Sequence, residues 1–297
     1  MIGWCLVLFF IPMSIFSQLS GQLLLKPGTF FKESHPERTP KGNDPADYGL
    51  RSDKVGFGVA DGIILAGYYV YSSIAPVQGT LLILHGIGSC KEHSLLKALV
   101  AAENGYNAVI YDARAHGESE GRFCTFGAEE SQDVSRILDI LDQDYALASP
   151  YFIWGHSLGG AVGLLALADE PRLKAGVIES SFTELDLVAV DYMNNMLGFG
   201  QKRFTDRLLN RLGQIASIDF MAIKPIESAR KIKVPVMIAH GENDERIKFE
   251  YGLELYNNLG SESKKFVAIP GAGHINLWTV GGQKYMDEVM AFFGQHH

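Results

Sequence analysis

Along most of this chain apolar residues gather in short unbroken runs, separated by longer stretches in which they recur every three or four positions. Short runs rich in β-branched and aromatic residues read as buried strands, and the longer periodic stretches as helices. Strands are predicted over Val55–Ala60, Ile63–Tyr71, Thr80–His85, Ala108–Asp112, Tyr151–Trp154, Ala175–Glu179, Val236–His240 and Lys265–Ile269. The first two flank Asp61-Gly62, a tight-turn pair, and are expected to form an antiparallel hairpin at a sheet edge. The later ones are separated by helical segments, as parallel pairing requires. The expectation is an α/β fold built on a mostly parallel eight-stranded sheet with helices on both faces. The alternation breaks over residues 182–230. There the stretch Leu185 to Leu212 has helical periodicity (Val188, Tyr192, Met196, Leu197) interrupted at Gly198-Phe199-Gly200.

No composition shift or linker divides residues 54–297, so 297 residues are assigned to one large domain and its leader. Residues 18–53, with their Pro, Gly and polar content, read as a connector lying on the surface. Residues 1–17 carry no charged side chain, and Leu6 to Ile11 is continuously apolar. The segment is shorter than the roughly 20 apolar residues of a membrane-spanning helix. Its length suits a signal peptide cleaved after Ser17, although the basic start of such a peptide is missing. An uncleaved hydrophobic anchor, with membrane association through this segment, and a non-targeting segment are the alternatives. The protein is expected to be exported or membrane-anchored rather than cytoplasmic.

The net charge of −8 argues against nucleic acid as a partner. Of three cysteines, Cys5 would leave with a signal peptide and does not sit in a lipoprotein context. Cys90 and Cys124 follow strands expected to be neighbours. An exported protein permits a disulfide between them, while buried free thiols are equally ordinary. Neither cysteine has a metal-like spacing partner and the histidines do not cluster, so no metal and no cofactor is expected.

Candidate chemistry lies just past the ends of predicted strands. Gly155-His156-Ser157-Leu158-Gly159 follows the run Tyr151 to Trp154 and opens a helix rich in small residues and Leu. A serine on such a turn is held in a strained conformation, and flanking glycines remove Cβ atoms that would clash there. Asp244 follows the strand ending at Gly241, and His274 sits in the loop Gly271-Ala272-Gly273-His274 after the last strand. A carboxylate can hold a histidine in one tautomer, and an imidazole with pKa about 6.5 can take and return a serine proton. Glu242 and Glu179 are rival acids. Glu179 ends a strand and is expected to pair with a backbone donor or a basic group. His85 and His116 read as scaffolding, His156 as pointing away from the serine, and His296 and His297 as a tail. Two backbone N–H groups are needed where negative charge develops on a carbonyl oxygen. Leu158 would supply one and Ile87, in the loop after Thr80–His85, the other.

In this order, Ser157, Asp244 and His274 resemble the nucleophile, acid and base of the α/β-hydrolase superfamily. Asp112-Ala113-Arg114-Ala115-His116-Gly117-Glu118-Ser119 is similar to its Asp-x-Arg-Gly-His-Gly-x-Ser segment, with Ala115 where Gly is usual. After Asp244 comes Glu245-Arg246-Ile247-Lys248, without the Val-Pro often found there. The likeness runs from about Lys54 to the C-terminus and is nearest the small-lid esterase, thioesterase and serine-aminopeptidase-like branch. It implies an α/β-hydrolase fold in which residues 182–230 form a short helical lid. It also implies a serine hydrolase acting through an acyl-enzyme on an ester or related acyl bond of a small, apolar substrate. A peptidase of the same mechanism and a non-catalytic binding protein on the same scaffold are the alternatives. A dehalogenase would need a carboxylate at position 157.

Overall fold

The computed structural model describes residues 38–145, 148–198 and 200–296. The signal-peptide or anchor reading of residues 1–17 lies outside these, as does the first part of the connector. Eight strands form one sheet: β1 (Ser52–Gly58), β2 (Ile64–Val70), β3 (Gly79–Leu84), β4 (Tyr106–Tyr111), β5 (Tyr151–His156), β6 (Leu173–Glu179), β7 (Val236–Gly241) and β8 (Lys264–Ile269). Their order is β1-β2-β4-β3-β5-β6-β7-β8. Strands β1 and β2 pair antiparallel, as β2 does with β4, and every later pairing is parallel. The edge hairpin turns at Asp61 and Gly62, whose φ angles of 62° and 70° are what an Asp-Gly pair tolerates.

The strands read as unbroken apolar runs because both faces are covered. Along β3, Leu82 and Leu84 enter one core while Leu81 and Ile83 enter the other; Ile153 and Trp154 divide likewise on β5. Helices α1 (Leu95–Glu103) and α8 (Leu277–Gly294) cover one face, through Ala98, Val289 and Phe293. The opposite face carries α2 (Glu130–Asp144), α3 (Leu158–Asp169), α6 (Pro225–Lys231) and α7 (Phe249–Asn258), through Ile137, Leu164, Ile226 and Leu255. Within the expected surface connector, Tyr48 and Leu50 are buried in the core beneath α1. Two apolar side chains thus tie down a stretch whose polar composition suggested only surface.

Helices α4 (Leu185–Leu197) and α5 (Lys202–Ala216) interrupt the strand-helix alternation and share a separate apolar cluster with Ala161, Phe220 and Ile247. The insertion expected over residues 182–230 is therefore two things. Its first part is this added helix pair, whereas α6 packs in the main core as the crossover helix between β6 and β7.

Candidate active site

Strand β5 ends at His156 and α3 begins at Leu158, leaving one residue for the turn. That residue is Ser157, with φ 56° and ψ −116°, a left-handed conformation that side chains other than glycine rarely adopt. The flanking glycines are required by proximity. A Cβ on Gly155 would lie 2.3 Å from the Gly159 carbonyl oxygen, and one on Gly159 would lie 2.2 Å from that of Leu84. The turn therefore presses directly on strand β3 and on its own helix, which lifts the serine hydroxyl above the sheet.

Two residues distant in sequence meet it there. His274 Nε2 lies 3.0 Å from Ser157 Oγ, and His274 Nδ1 lies 2.8 Å from Asp244 Oδ2. Asp244 Oδ1 accepts from the Arg246 and Ile247 N–H groups at 2.9 and 2.8 Å, so its loop aims the other oxygen at the imidazole. All three side chains are buried. Burial pushes the Asp244 carboxyl up, but hydrogen bonds from His240 and His274 and from the Ile247 N–H outweigh it and hold the group well below the usual carboxylate range. It is ionised at neutral pH, which makes Nδ1–H of His274 the donor and leaves Nε2 free to accept the serine proton.

His240, not singled out by its sequence setting, is the residue that reading missed. It sits on β7, its Nε2 lies 2.9 Å from the Ile247 carbonyl and 3.4 Å from Asp244 Oδ2, and it is fully buried. It ties the strand end to the loop bearing the acid. Its only sequence signal is a histidine inside an otherwise apolar strand.

Glu179 proves to be no partner for His274. Its oxygens accept from Trp154 Nε1 at 2.8 Å, Tyr285 Oη at 2.7 Å and Lys97 Nζ at 2.5 Å. Burial opposes its charge, yet Lys97 and His156 keep it ionised at neutral pH. The basic group expected at that strand end is thus Lys97. The His156 ring turns to Glu179 and to His274, with Nδ1 3.6 Å from Glu179 and the two imidazole centroids 5.0 Å apart. Burial lowers its pKa to about 4, so it meets the His274 ring uncharged. His85 and His116 are scaffolding as expected: each accepts one loop N–H, from Ala113 and Gly88, and bonds one carbonyl, of Gly86 and Arg114.

Ile87 lies in the loop leaving β3, and Leu158 opens α3 directly after the serine. Gly86 brings the two segments together, since a Cβ there would stand 3.2 Å from Ser157 Cβ. Among the described residues no acceptor takes the N–H of Ile87 or Leu158. Cys90 and Cys124 are separate buried thiols, so the disulfide allowed by their neighbouring strands does not form. Burial pushes Cys90 up to about 12 and Cys124 well above its ordinary value. Among the described residues no His, Cys, Asp and Glu side chains gather as a metal site would need. No helix among them is long and apolar enough to cross a membrane.

The added helices stand over this end of the sheet. Asp191 of α4 accepts from Lys248 Nζ and Tyr251 Oη, both at 2.6 Å, and Asn195 donates to the Glu245 carbonyl at 2.8 Å. The loop carrying Asp244 is thereby bolted to α4. A small cleft with room for about 80 Å³ lies beside His156. Leu96, Leu277 and Trp278 form its apolar wall, and Ser89, Ser94 and Lys97 a polar one. Chemically, the assembly offers a hydroxyl in contact with an imidazole and that imidazole in contact with an ionised carboxylate.

Residues 75–222 match the family model described as serine aminopeptidase, S33. Protein bem46 of Schizosaccharomyces pombe is 24% identical over 275 residues, covering 88% of this chain and 85% of its own. A lysophosphatidylserine lipase, ABHD12 of Danio rerio, is 28% identical over 200 residues, 65% of this chain and 50% of its own length. Among solved structures, the Pyrococcus furiosus esterase Pf2001 superposes with a TM-score of 0.72 at 22% identity, covering 86% of this chain and 95% of that one. That likeness bears on the fold alone.

Proposed function

We propose that this chain, an α/β-hydrolase by fold and by family match, is a serine hydrolase that cleaves carboxylic esters or related acyl bonds through an acyl-enzyme. The observation carrying this reading is the 2.8 Å and 3.0 Å pair of contacts that places His274 between Asp244 and Ser157. Ser157 Oγ attacks the acyl carbon while His274 Nε2 takes its proton. Asp244 holds the imidazole and stabilises its positive charge. The Ile87 and Leu158 N–H groups receive the oxyanion, the role for which a fixed dipole needs no reorganisation. His274 then returns the proton to the leaving group, and a water activated by the same base releases the acid.

Peptide cleavage at a free amino terminus uses the same machinery but also needs a carboxylate to hold the substrate ammonium. The carboxylate lining the cleft is Glu179, and its oxygens are already taken by Lys97, Trp154 and Tyr285. This favours the ester over the aminopeptidase reading. Labelling by an organophosphonate probe should mark Ser157. Ser157→Ala should abolish labelling and turnover of short-chain esters while leaving the thermal transition in place. Turnover of aminoacyl amides at rates matching the esters would reverse the choice of bond, and full activity of Ser157→Ala would refute the mechanism.

A further inference from the structure

Helix α5 presents two unlike faces. Thr205, Leu208, Leu209 and Leu212 are buried, the three leucines in the apolar cluster shared with α4. On the other side Arg203, Arg207 and Arg211 are exposed at successive four-residue steps, with exposed Asn210 and Gln214 beside them. Spacing of this kind aligns the three guanidiniums over about 12 Å of one helix face. Among the described residues none of the three pairs with a carboxylate, and Arg211 bonds only the neutral Gln214. The helix's own acid, Asp206, is engaged by Lys202, which also reaches Asp186. A concentrated positive stripe thus stands on the exposed face of α5, which packs on the helix tied to the Asp244 loop, in a chain whose net charge is −8.

We propose that the Arg203–Arg207–Arg211 face docks the protein on a membrane surface bearing anionic phospholipids. Guanidinium forks match phosphate oxygens and are the cationic groups of choice for them. The stripe runs along one exposed face of a single helix, and a planar array of phosphates can meet all three side chains at once. Docking requires no unfolding, because the apolar face of α5 stays in its own cluster. The docking is independent of the acyl-hydrolase reading. Its purpose, bringing Ser157 to acyl chains that reside in a bilayer, rests on that reading.

The test is co-sedimentation of the full chain with vesicles of phosphatidylcholine alone and with phosphatidylglycerol added, at two salt concentrations. The expected result is an anionic preference that fades as salt rises. The triple variant Arg203→Gln, Arg207→Gln, Arg211→Gln should lose about a hundredfold in affinity for the anionic vesicles, following the usual contribution of a basic side chain at such a surface. Its turnover of a water-soluble short-chain ester should be unchanged. Equal binding to neutral and anionic vesicles, or an anionic preference that survives in the triple variant, overturns the proposal. So does arginine-dependent binding to polyglutamate as tight as to vesicles, which would mark the face as a site for an acidic protein. Loss of ester turnover in the unaltered chain would instead strike the acyl-hydrolase reading and leave the vesicle result standing.

Discussion

Asp244→Asn tests the proposed proton path at its most constrained point. Asp244 Oδ1 accepts two backbone N–H groups, from Arg246 and Ile247, at 2.9 and 2.8 Å. The amide of asparagine must keep its oxygen there, since an NH₂ in that place would confront two donors. Its NH₂ is then forced into the Oδ2 position, 2.8 Å from His274 Nδ1. A donor there makes Nδ1 the acceptor, moves the imidazole proton to Nε2 and points N–H at a serine that needs a base. Loss of the correct tautomer in such a relay costs about four orders of magnitude in turnover, about 5 kcal/mol of barrier. The side chain is nearly isosteric and both backbone bonds survive, so the fold should remain. The assay is initial-rate hydrolysis of a short-chain activated ester, with circular dichroism melting as the control for folding. A folded variant retaining more than about a tenth of the parent turnover would show that Asp244 does not govern the protonation of His274.

Other substitutions separate neighbouring roles. Glu179→Gln breaks the buried pair with Lys97 and should cost about 3 kcal/mol in denaturant unfolding; turnover of the folded variant should stay within tenfold, and a collapse matching Asp244→Asn would reassign the acid. Gly159→Ala places a Cβ 2.2 Å from the Leu84 carbonyl oxygen, so stability should fall by about 3 kcal/mol, the upper end for overpacking against a rigid neighbour. A variant melting within a degree or two of the parent would show that the turn has room. Cys90 and Cys124 should resist iodoacetamide at pH 8 in the native protein and react after unfolding, read by mass spectrometry. Burial keeps both as protonated thiols, and rapid native alkylation of either would contradict that.

Much of the frame was legible because it is written in local constraints. A strand buried on both faces must be apolar throughout, and that made β3, β5 and β7 visible as runs. A serine turn pressed against its own helix and against β3 admits only glycine at 155 and 159, so the candidate nucleophile position was legible. Asp244 and His274 follow strand ends that the same periodicity located. Some boundaries shifted, as with β1, which begins at Ser52 because ladder pairing with β2 extends beyond the apolar residues that first mark it.

What only the tertiary structure decided concerns contacts between groups whose surroundings leave no local trace. Glu179 and Asp244 are both acids at parallel strand ends; sequence favoured Asp244 as the partner of His274 but did not name the partners of Glu179. Packing settled their surroundings, giving Glu179 to Lys97, Trp154 and Tyr285 and leaving Asp244 facing His274. The approach of His156 to the His274 ring, the tie from His240 to the Asp244 loop and the separate burial of two thiols are decisions of the same kind. Periodicity reports which face of an element avoids water. It carries no information on which distant polar atom completes a hydrogen bond, because that depends on how whole elements are stacked.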